Sequence, residues 1–357
     1  MQRFSTIKTF FKYLLFLFFI TITLFSLWKT VLVLNTQQAT QNKFCIPNKE
    51  IVNDKGFLTI YFCNSQDCES VLQAFLKNAT QAKCAFYKLS NNKVLKSLKN
   101  VSKLELVLDC SLRTNLKLLN QFQSIHCIAK RKGIMHNKFC VLNNDTVITG
   151  SFNPSKTLNK DYNALLVVKS KAIASLYNKE FENLKCVAKN KNCDKCLPYN
   201  VVNLSQANDS KTNAIIEVYF CPEYNCKNAL INALKTANHN ITFMTFVFTD
   251  KDIALTMISL NVNVKGVLES SQVSKHSVKH LFDMFNISIL LENSSKLLHH
   301  KTFIVDESIT SVGSYNPTIS GYLYNNENLL IIHDNKTAKK FLKEFEHITK
   351  LLSVNHS

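Results

Sequence analysis

The stretch HNKFCVLNNDTVITGSFN, from His136 to Asn153, recurs as HHKTFIVDESITSVGSYN, from His299 to Asn316. In both copies His, any residue, Lys, a short apolar run and Gly-Ser-x-Asn follow one another at identical spacing. The two copies indicate a single functional site that is built from two similar halves.

The histidine and the lysine of each copy belong to one face of a predicted strand. Side chains two residues apart in a strand point to the same side, so His136 lies beside Lys138 and His299 beside Lys301. A lone histidine in a strand is more often a structural residue than a catalyst. Two histidines, each with a same-face lysine and a Gly-Ser-x-Asn turn at fixed distance, favour catalysis.

Two imidazoles that face each other across a pseudo-twofold axis provide the chemistry for cleaving a phosphodiester without a metal. One attacks phosphorus, and the other protonates the departing alcohol and then activates water. Both lysines and the donors of the two turns would hold the phosphate oxygens, and each turn glycine would leave room for the phosphate. The predicted phosphate-binding residues are Ser151, Asn153, Ser314 and Asn316. No metal or other cofactor is implied.

The predicted elements around the two copies follow the same order of strands and helices. We therefore expect an α/β protein made of two similar repeats, residues 56–190 and 213–352, related by a pseudo-twofold axis. Strands that alternate with helices favour a mixed, mostly parallel sheet flanked by helices. The polar, Asn-rich residues 191–212 form the predicted connector.

The composition indicates the class of partner. The chain has 357 residues, 46% of them hydrophobic, with only six glycines and five prolines, which argues against long Gly-rich or Pro-rich linkers. Its formal net charge of +18 favours polyanionic partners, either nucleic acid or an anionic lipid surface. The alternative is a generally basic surface without a specific partner.

The N-terminal region has the pattern of a membrane anchor. Residues 1–12 are basic, and the apolar run from Tyr13 to Leu34, interrupted only by Lys29, is long enough to span a bilayer. A stalk, residues 35–55, follows. We expect a single-pass protein with a cytosolic N-terminus and an extracytoplasmic catalytic region. A cleaved signal peptide is the alternative.

The twelve cysteines fit an exported chain with disulfides. The two C-x4-C pairs, Cys63 with Cys68 and Cys221 with Cys226, are predicted to form local bridges. Zinc is the alternative, for which the thiolates of Cys186, Cys193 and Cys196 were the candidates. Ten Asn-x-Ser/Thr sequons are compatible with export, and we expect two of them, at Asn144 and Asn293, to lie close to the site.

The paired stretches resemble the H-x-K-x4-D-x6-G-S-x-N motifs of the phospholipase D superfamily. The resemblance covers nearly all of the chain beyond residue 55. The second copy matches fully, with Asp306 at the Asp position, whereas the first has Asn143 there. The family often places a carboxylate downstream that orients a catalytic histidine. Glu327 fills that position in the second repeat, and Asn163 aligns with it in the first.

These departures lead to two expectations about the histidines. The first repeat lacks both orienting carboxylates, so we expect His136 to be the less basic of the two histidines and Asp306 and Glu327 to assist His299. In the family's two-motif enzymes the N-terminal histidine usually attacks, so the resemblance implies that His136 is the nucleophile and His299 the acid and base. The opposite order stays open, because His299 would have the carboxylate support.

The resemblance implies a phosphodiester substrate, but the superfamily includes both nucleases and phospholipid hydrolases or transferases. No obligate protein partner is implied. The short repeats and the basic lead-in of Lys130, Arg131 and Lys132 favour a nuclease-like member. The predicted anchor favours phospholipid. A third reading, suggested by Asn143, is a catalytically silent, membrane-tethered binding protein.

Overall fold

The structure is a computed structural model that describes residues 44–46, 50–129, 132–191, 193, 196–206 and 209–354. The predicted anchor from Tyr13 to Leu34 and the cations Lys130 and Arg131 lie outside these ranges. None of the helices within them has both the length and the apolar character that crossing a bilayer requires. The chain divides into Met1–Cys45 and the unit Ile46–Ser357, and all elements below belong to the second unit.

The two repeats contribute their strands in the same order along the chain. The strands of the first repeat are β1 (Ile51–Phe62), β2 (Gln81–Phe86), β3 (Lys103–Asp109), β4 (Ile125–Ile128), β5 (Lys138–Leu142), β6 (Thr146–Gly150) and β7 (Ala164–Lys169). Those that follow are β8 (Val201–Gln206), β9 (Asp209–Cys221), β10 (Asn240–Thr245), β11 (Asn263–Glu269), β12 (Ile289–Glu292), β13 (Lys301–Val305), β14 (Ile309–Gly313) and β15 (Glu327–His333).

The helices flank the sheet. They are α1 (Cys68–Lys77), α2 (Asn92–Lys99), α3 (Arg113–Leu116), α4 (Lys171–Ala188), α5 (Cys226–Leu234), α6 (Lys251–Ser259), α7 (Lys279–Met284), α8 (Ile319–Leu323) and α9 (Asn335–Val354). The amides that begin α2 and α6 donate to the side chains of Asn91 and Asp250, which are their N-caps. The long helix α4 packs mainly on β4 and β6, and the long helix α9 packs mainly on β14 and β13.

All strands join one mixed sheet, in the order β12-β11-β10-β13-β14-β15-β9-β8-β1-β7-β6-β5-β2-β3-β4. The prediction of a mostly parallel sheet was wrong. Only five pairings are parallel and nine are antiparallel, because the hairpins that carry the repeated motifs bring antiparallel strands into the middle of each repeat.

The two repeats share this sheet through residues that we predicted to be linkers. Strand β8 occupies 201–206 of the expected connector and pairs in parallel with the start of β1, which occupies part of the expected stalk. It pairs with β9 on its other side. The polar composition misled the prediction, because β8 is an alternating strand whose apolar residues Val202 and Leu204 are buried.

The strands define two opposite edges of the sheet. At the histidine edge, β2, β3, β10 and β11 end, β5 and β13 begin, and both repeated histidines lie there. At the remote edge, those same parallel strands begin, and the turns β5–β6 and β13–β14 lie beside them.

The structure confirms both local disulfides, Cys63–Cys68 and Cys221–Cys226. Cys186 and Cys193, considered as zinc thiolates, form a bridge to each other instead. Two further bridges, Cys84–Cys140 and Cys110–Cys127, cross-link strands of the first repeat. In the described part of the chain no cysteine is free.

Candidate active site

Backbone contacts between the repeats bring the two histidines together. His136 lies two residues before β5, and its N–H donates to the carbonyl of Asn326 at 2.9 Å. His299 lies two residues before β13, and its N–H donates to the carbonyl of Tyr162 at 3.0 Å. Each histidine is therefore fixed to the segment that begins the last strand of the other repeat.

Because each histidine is bonded to the backbone of the other repeat, a side chain of that other repeat also orients its imidazole. The Nδ1 atom of His136 lies 2.8 Å from Glu327 Oε2, and Nδ1 of His299 lies 2.9 Å from Asn163 Oδ1. The expectation that Glu327 assists His299 was wrong. The carboxylate of Glu327 orients His136, and the neutral amide of Asn163 orients His299.

The two motif serines hold these orienting side chains. Ser314 Oγ donates to Glu327 Oε2 at 2.6 Å and accepts the N–H of Asn328. Ser151 Oγ likewise donates to Asn163 Oδ1 at 3.1 Å and accepts the N–H of Ala164. Each hydroxyl donates its single proton to one of these side chains, so it has no donor left for a phosphate oxygen. The prediction that the serines bind phosphate was wrong, and they fix the partners of the histidines instead.

The two lysines confirm the predicted same-face pairs. Lys138 Nζ donates to the carbonyl of His136 at 2.7 Å, and Lys301 Nζ donates to the carbonyl of His299 at 2.8 Å. Among the residues that the structure describes, neither ammonium has a carboxylate within ion-pair distance. Burial lowers the pKa of Lys138 to about 7, although Glu327 and Asp109 oppose it. Burial and the charge of Lys138 lower the pKa of Lys301 well below its ordinary value.

The histidines differ in basicity, in the direction opposite to our expectation. Burial lowers the pKa of His136, but the negative charge of Glu327 opposes that effect. Burial together with the charges of Lys301 and Lys138 lowers the pKa of His299 well below its ordinary value. Burial alone would raise the pKa of Glu327, yet His136 and Lys138 outweigh it, and the carboxyl stays ionised.

Asp306 was predicted to be catalytic, but the structure places it elsewhere. Its carboxylate lies at the remote edge and accepts the backbone N–H groups of Asn238, His239 and Asn240, at 2.6 to 2.9 Å. Asn143 Oδ1 makes the equivalent bonds to the N–H groups of Thr80 and Gln81, at 3.0 and 3.1 Å. An amide oxygen accepts as a carboxylate does, so Asn143 keeps the structural role of the family's Asp.

The remaining motif residues divide between binding and packing. Asn153 and Asn316 are half-buried, and within the described ranges their Oδ1 atoms have no hydrogen-bond partner. An amide oxygen cannot donate to a phosphate, so only their Nδ2 groups could bind one, and phosphate binding by these two asparagines stays a prediction. Gly150 serves the backbone rather than the phosphate, because its φ is +140° and a Cβ would lie 2.1 Å from the carbonyl oxygen of Ala164.

Four site residues escaped the sequence analysis. The rings of Tyr87 and Phe246 stand against His136 and His299, with centroids 4.9 and 5.0 Å away. Asp109 and Glu269 accept the N–H groups of the residues just before each histidine, both at 2.8 Å. The sequence pattern could have indicated only the two acids, because the corresponding strands β3 and β11 both end on an acidic residue.

The geometry matches that of known proteins. Residues 59–185 and 230–349 match the family described as cardiolipin synthase, PLD-like domain. The chain belongs to the phospholipase D superfamily. With its paired His–Lys site, it is a phosphodiesterase.

Relatives with similar sequences match 33% to 41% of this chain. A phospholipase D of Rickettsia prowazekii is 23% identical over 153 residues, which are 41% of this chain and 70% of the relative. The human mitochondrial cardiolipin hydrolase is 28% identical over 123 residues, 33% of this chain and 49% of that protein. Phosphatidylserine synthase from Haemophilus influenzae Rd KW20 shares the fold of both repeats, with a TM-score of 0.60, 10% identity and coverage of 89% and 90%.

Proposed function

We propose that the chain hydrolyses phosphodiesters in two steps without a metal, with His136 as nucleophile and His299 as acid and base. The observation that carries this assignment is the unequal support of the two imidazoles, a carboxylate on His136 and an amide on His299. The family supplies the reaction class, and the asymmetry of this chain supplies the roles.

A nucleophilic imidazole gains a positive charge when its Nε2 atom attacks phosphorus. Glu327, 2.8 Å from Nδ1 of His136, keeps the proton on Nδ1 and stabilises that charge. Asn163 provides no charge, so the imidazolium of His299 is not stabilised for long. This suits a group that must pass its proton to the leaving alcohol and then accept one from water.

The lysines complete the cycle. In the free site the two ammonium groups suppress the protonation of His299. A bound phosphodiester offsets both charges, which raises the pKa of Lys138, Lys301 and His299 together. Substrate binding therefore favours the protonated form of His299, which gives its proton to the leaving alcohol. His299 then acts as the base for the water that attacks the phosphohistidine, and the product is released.

We further propose nucleic acid as the substrate. Exposed lysines surround the histidine edge, and they are Lys88, Lys132, Lys156, Lys251, Lys275 and Lys296. Several cations spaced around the site suit a polymer with several phosphates better than a single lipid headgroup. The net charge of +18 acts in the same direction.

Phospholipid is the second candidate, because similar proteins are named phospholipase D and cardiolipin hydrolase. The proposed anchor from Tyr13 to Leu34 would hold the site beside a bilayer. A cytosolic N-terminus with an extracytoplasmic catalytic region is part of the proposal, and the disulfides support it.

The hypothesis of a catalytically silent binding protein was based on Asn143. That support is lost, because Asn143 makes structural hydrogen bonds in place of the family's aspartate. The test is an assay of the full chain, with EDTA present, on single-stranded DNA, RNA, cardiolipin and phosphatidylcholine. A His136→Ala/His299→Ala double variant is the control. We expect cleavage of a nucleic acid that weakens steeply with salt. Cleavage of lipid alone selects the second candidate, and cleavage of neither these nor an aryl phosphodiester refutes the enzyme assignment.

A further inference from the structure

We propose that the protein carries N-linked glycans on the remote edge of the sheet, and that the motif asparagines at its histidine edge, Asn153 and Asn316, are kept free of them. The proposal rests on the placement of the sequons in the fold. It is independent of which substrate the site takes.

Six of the sequons within the described ranges lie at the remote edge. Their asparagines are Asn78, Asn100, Asn144, Asn240, Asn286 and Asn335, and all six are exposed. Asn78 and Asn100 follow helices and come just before β2 and β3, Asn240 begins β10, and Asn286 comes just before β12. Asn144 lies in the β5–β6 turn and Asn335 follows β15.

The six asparagines are separated from the active site by the length of the strands. Strand β2 has six residues, which span roughly 20 Å at about 3.3 Å per residue. Glycans at these positions would project away from the histidines. The expectation that Asn144 lies close to the site was therefore wrong, whereas Asn293 does lie at the histidine edge, six residues before His299.

Asparagine abundance does not explain this distribution. The histidine edge is also rich in asparagines, among them Asn64, Asn91, Asn159, Asn225 and Asn325, but none of these has Ser or Thr two positions later. The remaining described sequon, at Asn203, is half-buried within β8, and its Nδ2 donates to Asn53 Oδ1 at 2.8 Å.

The two motif asparagines are the most informative positions. Asn153 is followed by Pro154 and Ser155, and Asn316 by Pro317 and Thr318. Each would be a sequon with any other middle residue, since proline there prevents glycosylation. Both asparagines of the candidate phosphate site are therefore excluded as acceptors by the same device, in the two repeats separately.

The covalent step needs a lipid-linked sugar diphosphate as donor. A bond forms between Nδ2 of the asparagine and C1 of the sugar, the bond from C1 to the diphosphate oxygen breaks, and the lipid diphosphate leaves with the proton from Nδ2. The disulfides provide independent support, because they indicate the oxidising route on which this transfer takes place.

The first test maps occupancy on the full chain, made in cultured animal cells with its own first 43 residues. Peptide N-glycosidase F in heavy-oxygen water converts each glycan-bearing asparagine to labelled aspartate, which mass spectrometry locates. We expect label at most of the six remote asparagines and none at Asn153 or Asn316. Label at fewer than half of the six, or confined to Asn293, overturns the proposal.

A second test examines the role of proline with a matched pair of variants. Pro154→Ala completes a sequon at Asn153, and Pro154→Ala/Ser155→Ala carries the same backbone change without one. We expect the single variant to gain one glycan and lose activity or secretion, and the double variant to behave as wild type does. A single variant that stays unglycosylated, or that is glycosylated and as active as the double variant, contradicts the protective role.

Discussion

Replacing Glu327 with glutamine tests the asymmetry of the site most sharply. The substitution keeps the shape of the side chain and an oxygen that can accept from His136 Nδ1. In the wild-type protein these two atoms lie 2.8 Å apart. The substitution removes the negative charge that stabilises the imidazolium formed during attack. With its oxygen in the place of Oε2, the amide would still accept from His136 and Ser314, although its NH2 group could no longer accept from Asn325 Nδ2. The variant therefore keeps the contact that positions His136 and removes the charge.

The size of the effect follows from the geometry. Two unit charges about 4 Å apart interact by about 4 kcal/mol at an effective dielectric constant of about 20. The retained hydrogen bond and relaxation of the site reduce the difference, and we expect about 3 kcal/mol. Because about 1.4 kcal/mol corresponds to tenfold in rate, phosphorylation of His136 should slow by a factor of roughly 100 or more.

The assay is the burst of nitrophenolate from bis(4-nitrophenyl) phosphate in a single turnover. This leaving group departs without a proton, so the burst reports the nucleophile and not the acid. His299→Ala should keep a burst that His136→Ala abolishes. A Glu327→Gln protein with wild-type folding and a burst within about threefold of wild type would refute the role of the carboxylate.

Three further predictions follow from the same contacts. Asn143→Asp should leave kcat/KM within about twofold of wild type, because either side chain can accept the hydrogen bonds at the remote edge; a loss of more than tenfold would contradict that role. Asn163→Asp should raise the pKa of His299 and move the pH profile for an alkyl leaving group to higher pH, which a kcat–pH series would detect. For the nucleic-acid substrate, KM should rise as pH increases through about 7, by up to about tenfold per pH unit, because free Lys138, with a pKa of about 7, then loses the proton that binding requires; a KM that is flat from pH 6 to 9 contradicts this.

The repeat made much of the fold predictable. Identical spacing of His, Lys and the Gly-Ser-x-Asn turn placed the two hairpins, β5–β6 and β13–β14, and alternation placed Lys138 beside His136 and Lys301 beside His299. The local disulfides followed from the C-x4-C pairs. These features depend on residues close together in the chain, and for that reason sequence patterns reveal them.

The errors concern contacts between distant segments. Glu327 is 28 residues from His299 and 191 from His136, so proximity in sequence favoured the wrong partner. Only the crossing of the two repeats, fixed by the bonds of the histidine N–H groups, shows that the carboxylate serves His136. The motif serines misled for a related reason, because their hydroxyls face a strand that the local pattern does not reveal.

The most direct measurement of the central claim is the site of the covalent intermediate. The full chain reacts with an aryl phosphodiester and is quenched rapidly without acid. Peptide mapping at alkaline pH, where phosphohistidine is stable, then locates the phosphohistidine. We predict the adduct on the peptide that contains His136 and none on the peptide that contains His299. An adduct on His299, with His136 unmodified, would contradict the account and reverse the two roles.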